Sequence, residues 1–373
     1  MRTLILAVSA LSTIGSSIAL GADAMDATTP SAAVGGSAPS ESSSATKWKI
    51  KGKARVDAAQ SSKSTKVGEG DATIAKSSSV AVKRAQLELI GTKGNDELRL
   101  KYYLEKNELK YAFIEHKFSK ECSLVAGFFD ARDLAWEWDY SSTEQYIYAN
   151  VSKYGIVAQP GVEVKGGIED QWFYLQVLQG ATPAGVTFEK SSGGLTTSLQ
   201  YRGNFMDKML RPIATYAMVR TANSKGTLTN ADKSTTAVNY DKVYQTHMGL
   251  GLKVAVAGST TDIEYATVKN HKLKDDDTSK DKNAASFLIQ SRLPEISGAV
   301  PYLKAVVDTD KKGADKNEGD LARTAYALGA EYAWDSSIRL HAIFSIDQAK
   351  TTQAKGDQTV NEQKINFGIT GSI

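Results

Sequence analysis

Hydrophobic and polar residues alternate one by one along many short segments of this chain. The alternation is clearest in Glu97–Glu105, Thr196–Arg202, His247–Val256 and Ser337–Asp347. Successive side chains of a β-strand point to opposite faces, whereas a helix repeats its apolar residues every three or four positions. No helical repeat persists over three turns. The pattern therefore predicts an all-β chain, with strands separated by clusters rich in Gly, Asp, Asn, Lys and Ser.

The first alternating segment, Thr46–Val56, has a basic residue at every second position. The cations are Lys47, Lys49, Lys51, Lys53 and Arg55, and the residues between them are Trp48, Ile50, Gly52, Ala54 and Val56. As a helix this segment would have no apolar stripe. As a strand it has one basic face and one apolar face, because side chains alternate with period two. The segment predicts a first strand that separates water from an apolar environment.

Two architectures explain the alternation: a soluble sandwich and an outer-membrane barrel. A sandwich turns its apolar faces to an inner core, whereas a membrane barrel turns them outward and has a polar interior. The barrel is favoured because the polar faces carry Gly, Lys, Arg, Glu and Gln. Many of the 16 Tyr and 5 Trp residues also lie near segment ends, as an interfacial girdle requires.

The connections support a barrel of sixteen strands because they alternate between short and long. Short turns are periplasmic and long loops extracellular in such barrels. The count reaches sixteen only if 180–193 is one long loop, and the tight E-K-N link, residues 105–107, is an exception in length. The final segment places Ile365, Phe367, Ile369, Gly371 and Ile373 on one face. The predicted long loops are 58–80, 130–158, 180–193, 221–243, 270–283, 309–320 and 348–361.

The amino terminus predicts export. A short basic start, an apolar run from Leu4 to Leu20 and an A-x-A site predict a signal peptide over residues 1–24. Cleavage after Gly21 and retention as an anchor are alternatives. Residues 25–46 read as a flexible Ser, Ala, Gly and Pro leader, and 47–373 as the barrel. The single cysteine, Cys122, excludes an internal disulfide.

The sequence has no motif typical of an enzyme or a metal site. The net charge of +3 does not indicate a nucleic-acid binder. G-x-S-x-G, P-loop and dinucleotide motifs are absent, and the four histidines lack a metalloprotease spacing. We therefore expect no enzyme activity, no cofactor and no metal. A closed structural or adhesive barrel with partner-binding loops is a further alternative.

Four segments between Val82 and Gly166 carry a family resemblance. They are V-K-R-A-Q-L-E-L-I-G, L-R-L-K-Y-Y-L-E, L-K-Y-A-F-I-E-H-K-F and S-L-V-A-G-F-F-D-A-R-D-L-A-W-E. This part of the chain resembles the phosphate-selective porin O and P family of Gram-negative outer membranes. The resemblance implies a homotrimer of 16-stranded barrels, a long loop that folds into the pore, and diffusion of small anions along basic wall residues.

The alternation and the resemblance together predict a charged pore. The basic wall would comprise Lys49, Lys51, Lys53, Arg55, Arg84, Arg99 and Lys101. Segment 130–158 would form the constriction with Asp130, Arg132, Asp133, Glu137 and Asp139. Basic rings favour anions and acidic rings favour cations. We therefore expect an outer-membrane pore, in contact with lipid outside and with small solutes and ions inside, whose lumen has mixed charge. An anion- or phosphate-selective channel is the alternative.

Overall fold

The computed structural model shows an all-β chain. It describes residues 45–133, 149, 156, 158–179, 186–188, 195–220, 224–229, 235–240, 244–271, 282–311, 319–352 and 356–373. Within these ranges, no helix is long and apolar enough to cross a membrane. The strands are β1 (Lys47–Val67), β2 (Thr73–Lys93), β3 (Asp96–Tyr103), β4 (Glu108–Lys117), β5 (Cys122–Phe129), β6 (Gln159–Ile168), β7 (Gln171–Gln179), β8 (Val186–Phe188), β9 (Leu195–Gly203), β10 (Leu210–Arg220), β11 (Ser224–Thr229), β12 (Thr235–Tyr240), β13 (Tyr244–Val256), β14 (Ser259–His271), β15 (Lys282–Arg292), β16 (Ala299–Lys311), β17 (Asp320–Ala333), β18 (Ile338–Thr352) and β19 (Gln358–Ser372).

Sixteen of these strands form one closed antiparallel barrel, which confirms the predicted fold and strand number. Each barrel strand pairs with the next barrel strand along the chain, so that β7 pairs with β9 and β10 with β13, and β1 pairs with β19 to close the sheet. Segment 180–193 contributes no barrel strand. Its strand β8 instead joins β11 and β12 in a separate three-stranded sheet. The tight link between β3 and β4 is also present, and Asn107 adopts a positive φ of 53° there.

The two faces of the barrel differ in polarity as the alternation predicts. Large apolar side chains are exposed on the outer face, as in a barrel that contacts lipid. They include Ile50, Leu98, Leu100, Val164, Leu175, Leu250, Tyr265, Phe287, Leu328 and Phe344. Polar side chains are buried on the inner face, among them Arg55, Glu97, Glu163, Gln176, Gln200, Asp262, Gln290, Asp308, Glu331 and His341. Long loops are extracellular and short turns periplasmic.

The predicted loop 58–80 is wrong, because most of it belongs to strands. β1 continues to Val67 and β2 begins at Thr73, so only residues 68–72 connect them. Because the sequence of this hairpin is mostly polar, it did not show the alternation from which strands are predicted. Strands that extend above the membrane into water need no apolar face, so lipid-based alternation fades there.

The height of the barrel wall changes abruptly between β2 and β3. β1 and β2 have 21 residues each, whereas β3 and β5 have 8. β2 pairs with β1 along nearly its whole length, but with β3 only from Gln86 to Lys93. The β1–β2 hairpin therefore projects well above the adjacent β3–β4 hairpin on the extracellular side.

The periplasmic turn between β17 and β18 is organised by one carboxylate. Asp335 Oδ1 accepts hydrogen bonds from the backbone N–H of Ser337 at 2.6 Å and of Ile338 at 2.7 Å. The Ser337 hydroxyl donates to the same oxygen at 2.9 Å. These donors favour the charged form, so they hold the pKa of Asp335 below its ordinary value.

Candidate functional site

The basic residues predicted for the pore wall lie together on the inner face of β1–β3. Arg55 pairs with Arg84 across β1 and β2, and Lys51 pairs with Glu88. Glu88 in turn lies opposite Lys101 on β3. Lys53 is opposite Gln86, and Lys49 is opposite Ile90, whose partner on β3 is Arg99. The hairpin registers thus join seven cations that are far apart in sequence into one surface, which we call the basic wall.

Carboxylates and tyrosine rings hold several of these cations. Lys51 Nζ lies 3.9 Å from Glu88 Oε2, and the Tyr111 hydroxyl donates to Glu88 Oε1 at 2.5 Å. Lys101 Nζ lies 5.7 Å from the ring centre of Tyr103 and 5.5 Å from that of Tyr111. Both distances allow a cation–π interaction. Arg99 is ion-paired with Glu97.

Arg55 differs from the rest of the basic wall because it is only 7% exposed. Its Nε and a terminal nitrogen both donate to Asp57 at 2.8 Å, a bidentate contact. His341 Nε2 lies 3.2 Å from the same carboxylate. Gly368 makes room for this contact, since a Cβ at that position would lie 2.1 Å from His341 Nε2. Arg55 therefore holds Asp57 within β1, and Asp57 links this pair to His341 on β18 across the β1–β19 seam.

The chain enters segment 130–158 through a set of contacts with the inner wall. Lys110 Nζ donates to Asp130 Oδ1 at 2.5 Å. Arg132 donates to both oxygens of Glu163, at 2.6 and 3.0 Å. The Arg132 guanidinium also lies 4.0 Å from the ring centre of Tyr174. The protein atoms around Asp130 raise the pKa of its carboxyl group, and the ion pair with Lys110 opposes this effect.

Gln176 on β7 organises these contacts, and sequence reasoning missed it. The backbone N–H of Arg132 donates to Gln176 Oε1 at 2.8 Å, and the Ser198 hydroxyl donates to it at 2.9 Å. Gln176 Nε2 donates to the Asp130 carbonyl at 3.2 Å and to Glu163 Oε2 at 2.7 Å. The only signal in the sequence was its inward position on an alternating strand.

Asp133 attaches the start of segment 130–158 to β13, and its side chain has almost no exposed surface. Its side chain is 1% exposed, and its Oδ2 accepts a hydrogen bond of 2.7 Å from the Ile156 backbone. The same oxygen lies 3.2 Å from Nδ1 of the fully buried His247 on β13. Ala149 belongs to a buried apolar cluster with inner-wall residues of β10 and β14–β18. Glu137 and Asp139 lie outside the described residues.

The two partners of an ion pair on the inner face often differ in how exposed they are. In several ion pairs the cation is more exposed than its carboxylate; the values are 45% and 13% for Lys51 and Glu88. Lys51–Glu88, Arg99–Glu97, Arg132–Glu163, Lys165–Glu115 and Arg339–Glu331 share this order. Lys110–Asp130 and Arg323–Asp347 reverse it. In these five pairs the cation is therefore the partner that is more exposed to a solute at the wall.

The strands β13–β18, which follow β19 around the barrel from β1, carry a second charged network that the sequence did not single out. Arg323 donates to Asp308 at 2.7 Å and to Asp347 at 2.6 Å. Lys253 lies 3.2 Å from Asp262. The Asp262 and Asp308 carboxylates are buried, so they neutralise cations without facing the solute. Within the described residues, no group of three or more His, Cys, Asp or Glu side chains could hold a metal ion.

Solved structures with the same fold are outer-membrane proteins. The trimer form of in-vitro folded OmpT from Vibrio cholerae is 13% identical, with a TM-score of 0.60, over 88% of this chain and 100% of that one. The outer membrane channel DcaP of Acinetobacter baumannii is 10% identical, with a TM-score of 0.61, over 88% and 97%. An anion-selective porin from Comamonas acidovorans is 11% identical, with a TM-score of 0.57, over 88% and 100%. No protein-family model matches the chain, and no curated protein matches it significantly.

These likenesses show the fold. The chain has the closed sixteen-strand β-barrel architecture of Gram-negative outer-membrane porins. The narrower resemblance to the phosphate-selective porin O and P family is not confirmed, because no family model matches.

Proposed function

We propose that the protein is a passive channel through which small hydrophilic solutes and ions diffuse across the outer membrane. The observation that carries this proposal is the closed barrel of sixteen strands with apolar side chains outside and charged side chains inside. Such an interior favours water, and the apolar exterior favours lipid. Two proteins of similar fold are described as a porin and an outer membrane channel, which agrees with this function. The proposal requires no cofactor and no catalytic residue.

Liposome swelling tests whether the barrel is open. Liposomes that contain the purified protein should swell in small sugars, at rates that fall with sugar size. A structural or adhesive barrel closed to solutes would leave the rates at those of protein-free liposomes. That outcome would refute the channel.

The lumen combines both signs of charge, and we propose that a solute experiences a mixed-charge wall. The basic wall on β1–β3 and the Arg323 network on β16–β18 are both rich in ion pairs. Paired charges cancel at long range, so selectivity between ions should be modest. Bilayer recordings in asymmetric KCl test this directly. A reversal potential close to that of an ideally selective pore for either ion would contradict the mixed-charge wall.

A preference for anions is the second candidate, and the greater exposure of cations favours it. Lys51, Arg99 and Arg339 extend beyond the carboxylates that they contact. A solute that passes near these side chains is closer to positive than to negative charge, and basic pore linings favour anions. The sign of the reversal potential separates this candidate from a neutral pore.

We further propose that segment 130–158 narrows the lumen. Asp130, Arg132 and Asp133 contact the inner wall where the segment begins, and Ile156 does so near its end. Ala149, which lies between these ends, is buried in an apolar cluster with residues of β10 and β14–β18, which supports this role. Deletion of residues 137–150 should raise single-channel conductance. Unchanged conductance in a correctly folded deletion variant would refute this role.

The assembly that we propose is a homotrimer. One protein with the same fold is described in a trimer form, and the family resemblance implies the same state. Native mass spectrometry in detergent measures the number of chains directly. A single species at the mass of one chain would refute the trimer.

A further inference from the structure

One tryptophan faces the lumen instead of the lipid. Trp172 is the second residue of β7, and it shares the inner face of that strand with the buried Tyr174 and Gln176. Its partner on β6 is Gly167, and its partner on β9 is Arg202. Tryptophan in a membrane barrel usually lies on the outer face, at the lipid interface. The inward position of Trp172 therefore requires another explanation.

Gly167 lets the indole of Trp172 lie flat against the inner wall. A Cβ at this glycine would lie 2.6 Å from both Cε3 and Cζ3 of Trp172, so the ring covers the glycine backbone. The side chain of Trp172 nevertheless stays partly exposed. One face of the ring thus packs on the wall, and the opposite face is turned to the lumen. A ring that is already held in place loses little conformational freedom when a second ring stacks on it.

Cations flank this ring on both neighbouring strands. Lys165 Nζ, on β6, lies 5.1 Å from the ring centre of Trp172 and 6.0 Å from that of Tyr174. The Arg202 guanidinium, on β9, lies 5.7 Å from the ring centre of Tyr174. These distances are within the ~6 Å over which a cation is attracted to an aromatic face. We call Lys165, Trp172, Tyr174 and Arg202 the ring–cation patch.

The carboxylates beside the patch are less accessible than the cations that they contact. Lys165 lies 4.0 Å from Glu115, and the two side chains are 32% and 13% exposed. Arg132, whose guanidinium stacks on Tyr174, is 28% exposed, whereas its partner Glu163 is 5% exposed. An anion in the lumen therefore approaches the positive partner of each pair first.

An aromatic face beside cations suits solutes that combine a planar ring with a negative charge. Carboxylates accept strong hydrogen bonds from lysine and arginine, and aromatic rings stack on one another in an offset arrangement. An aromatic carboxylate carries both groups on adjacent atoms, so it can use the ring of Trp172 and a neighbouring cation together. An inorganic anion uses only the cations, and an uncharged sugar uses only the ring.

We propose that the ring–cation patch is a binding site for small aromatic carboxylates that diffuse through the lumen. Trp172 stacks on the ring of the solute, while Lys165 and Arg202 contact its carboxylate. This inference rests on the proposed channel function and names a class of solute for it. It differs from a general preference for anions, because charge alone does not distinguish an aromatic ring from a saturated one.

Two carboxylates of equal charge test the role of the ring. Benzoate and cyclohexanecarboxylate are similar in size, but only benzoate has an aromatic face. Each is added to the purified protein in planar bilayers in KCl, and the concentration that halves the single-channel current is measured. Benzoate should reach this point at a concentration roughly three- to tenfold lower than cyclohexanecarboxylate, because only its ring stacks on the indole.

Three variants assign the effect to the patch. Trp172→Leu should make the two half-blocking concentrations equal. Trp334→Leu is the matched control, because that indole is 68% exposed at the turn between β17 and β18, and the advantage of benzoate should persist. Lys165→Gln should raise both half-blocking concentrations, since it removes a charge that both carboxylates use. Liposome swelling in small sugars shows whether each variant still forms an open barrel.

The outcomes separate the site from the channel. Equal half-blocking concentrations in the parent protein, or an advantage of benzoate that survives in an open Trp172→Leu barrel, overturn the site and leave the channel standing. If Trp172→Leu passes no sugar, Lys165→Gln decides, and unchanged block by both carboxylates overturns the site. A parent protein that passes neither ions nor sugars overturns the channel and the site together.

Discussion

Replacement of Gln176 by alanine should loosen segment 130–158 without unfolding the barrel. The Gln176 side chain makes four hydrogen bonds, to the Arg132 N–H, the Asp130 carbonyl, Glu163 and Ser198. Two of these partners belong to the start of the segment. Alanine removes these contacts at once and leaves the Arg132–Glu163 and Lys110–Asp130 ion pairs and the buried contacts of Asp133 as the attachments.

The magnitude follows from the number of hydrogen bonds lost. Only the bonds to the Arg132 N–H and the Asp130 carbonyl join Gln176 to the segment. A buried hydrogen bond contributes about 1 kcal/mol net, so the variant should lower the free energy that holds the segment by about 2 kcal/mol. Since 1.4 kcal/mol corresponds to a tenfold change, the detached population should rise roughly thirtyfold. Ser198→Ala removes only a bond between Gln176 and β9 and should raise that population less than Gln176→Ala does.

Two measurements report the change. Hydrogen exchange should accelerate in peptides that contain Arg132 and Asp133, while peptides from β14–β16 keep their rates. Single-channel recordings should show larger and noisier conductance. Gln290→Ala is a matched control, because Gln290 is also 1% exposed on the inner face and its side chain has no hydrogen-bond partner in the described structure. Equal exchange rates and conductance in the two variants would refute the reasoning.

Three further predictions follow from the charged lumen, the seam and a turn. Replacing Lys51, Arg99 and Lys101 by glutamine should shift the reversal potential in asymmetric KCl toward cation preference, because exposed positive charge is removed from the basic wall. Lys76→Gln, which lies on the outer face, is the control. An unchanged potential in the triple variant would show that this wall does not influence ion selectivity. Gly368→Ala should destabilise the barrel by about 2 to 3 kcal/mol in urea unfolding, because its Cβ would collide with His341 and separate it from Asp57; Gly166→Ala, where no atom lies within 4 Å, should be nearly neutral, and equal losses would argue against the seam contact. The lowered pKa of Asp335 means that its turn contributes stability above the unfolded-state pKa and loses it as the pH falls through the folded-state pKa. Asp335→Asn should therefore be less stable than the parent at neutral pH and should lose less stability than the parent on acidification, which pH-dependent unfolding measures; parallel pH profiles would exclude a role for this carboxylate.

The sequence predicted the architecture well wherever a strand separates lipid from water. The alternation of Leu98 and Leu100 with Arg99 and Lys101 is a direct consequence of that separation, and it placed the basic wall on the correct face. The same reasoning failed for 58–80, because strands in water have no lipid-facing side to reveal them. This error did not change the predicted number of barrel strands, because a loop and a projecting hairpin both return the chain to the same side of the membrane.

The sequence did not predict which side chains contact each other inside the lumen. Gln176 and Asp133 act through residues that are 22 to 114 positions away along the chain, such as Ser198 and His247. Alternation fixes the face of a strand but not the register between strands, and the register decides which side chains touch. Arg55 also looked equivalent to Lys53 in sequence, although it is buried and paired with Asp57, two residues further along β1.

The seam between β1 and β19 also determines how this barrel can complete its folding. Asp57 lies opposite Gly368, and His341 opposite the same glycine on the other side, so the three strands meet correctly in one register only. A slip of one residue would place Phe367 beside Asp57, turn its ring toward the polar interior and leave Arg55 without room for its carboxylate. The first and last strands are separated by nearly the whole chain, and closure of such distant segments is slow. Gly368 therefore favours the one register in which β1 and β19 close the barrel with Asp57 beside His341.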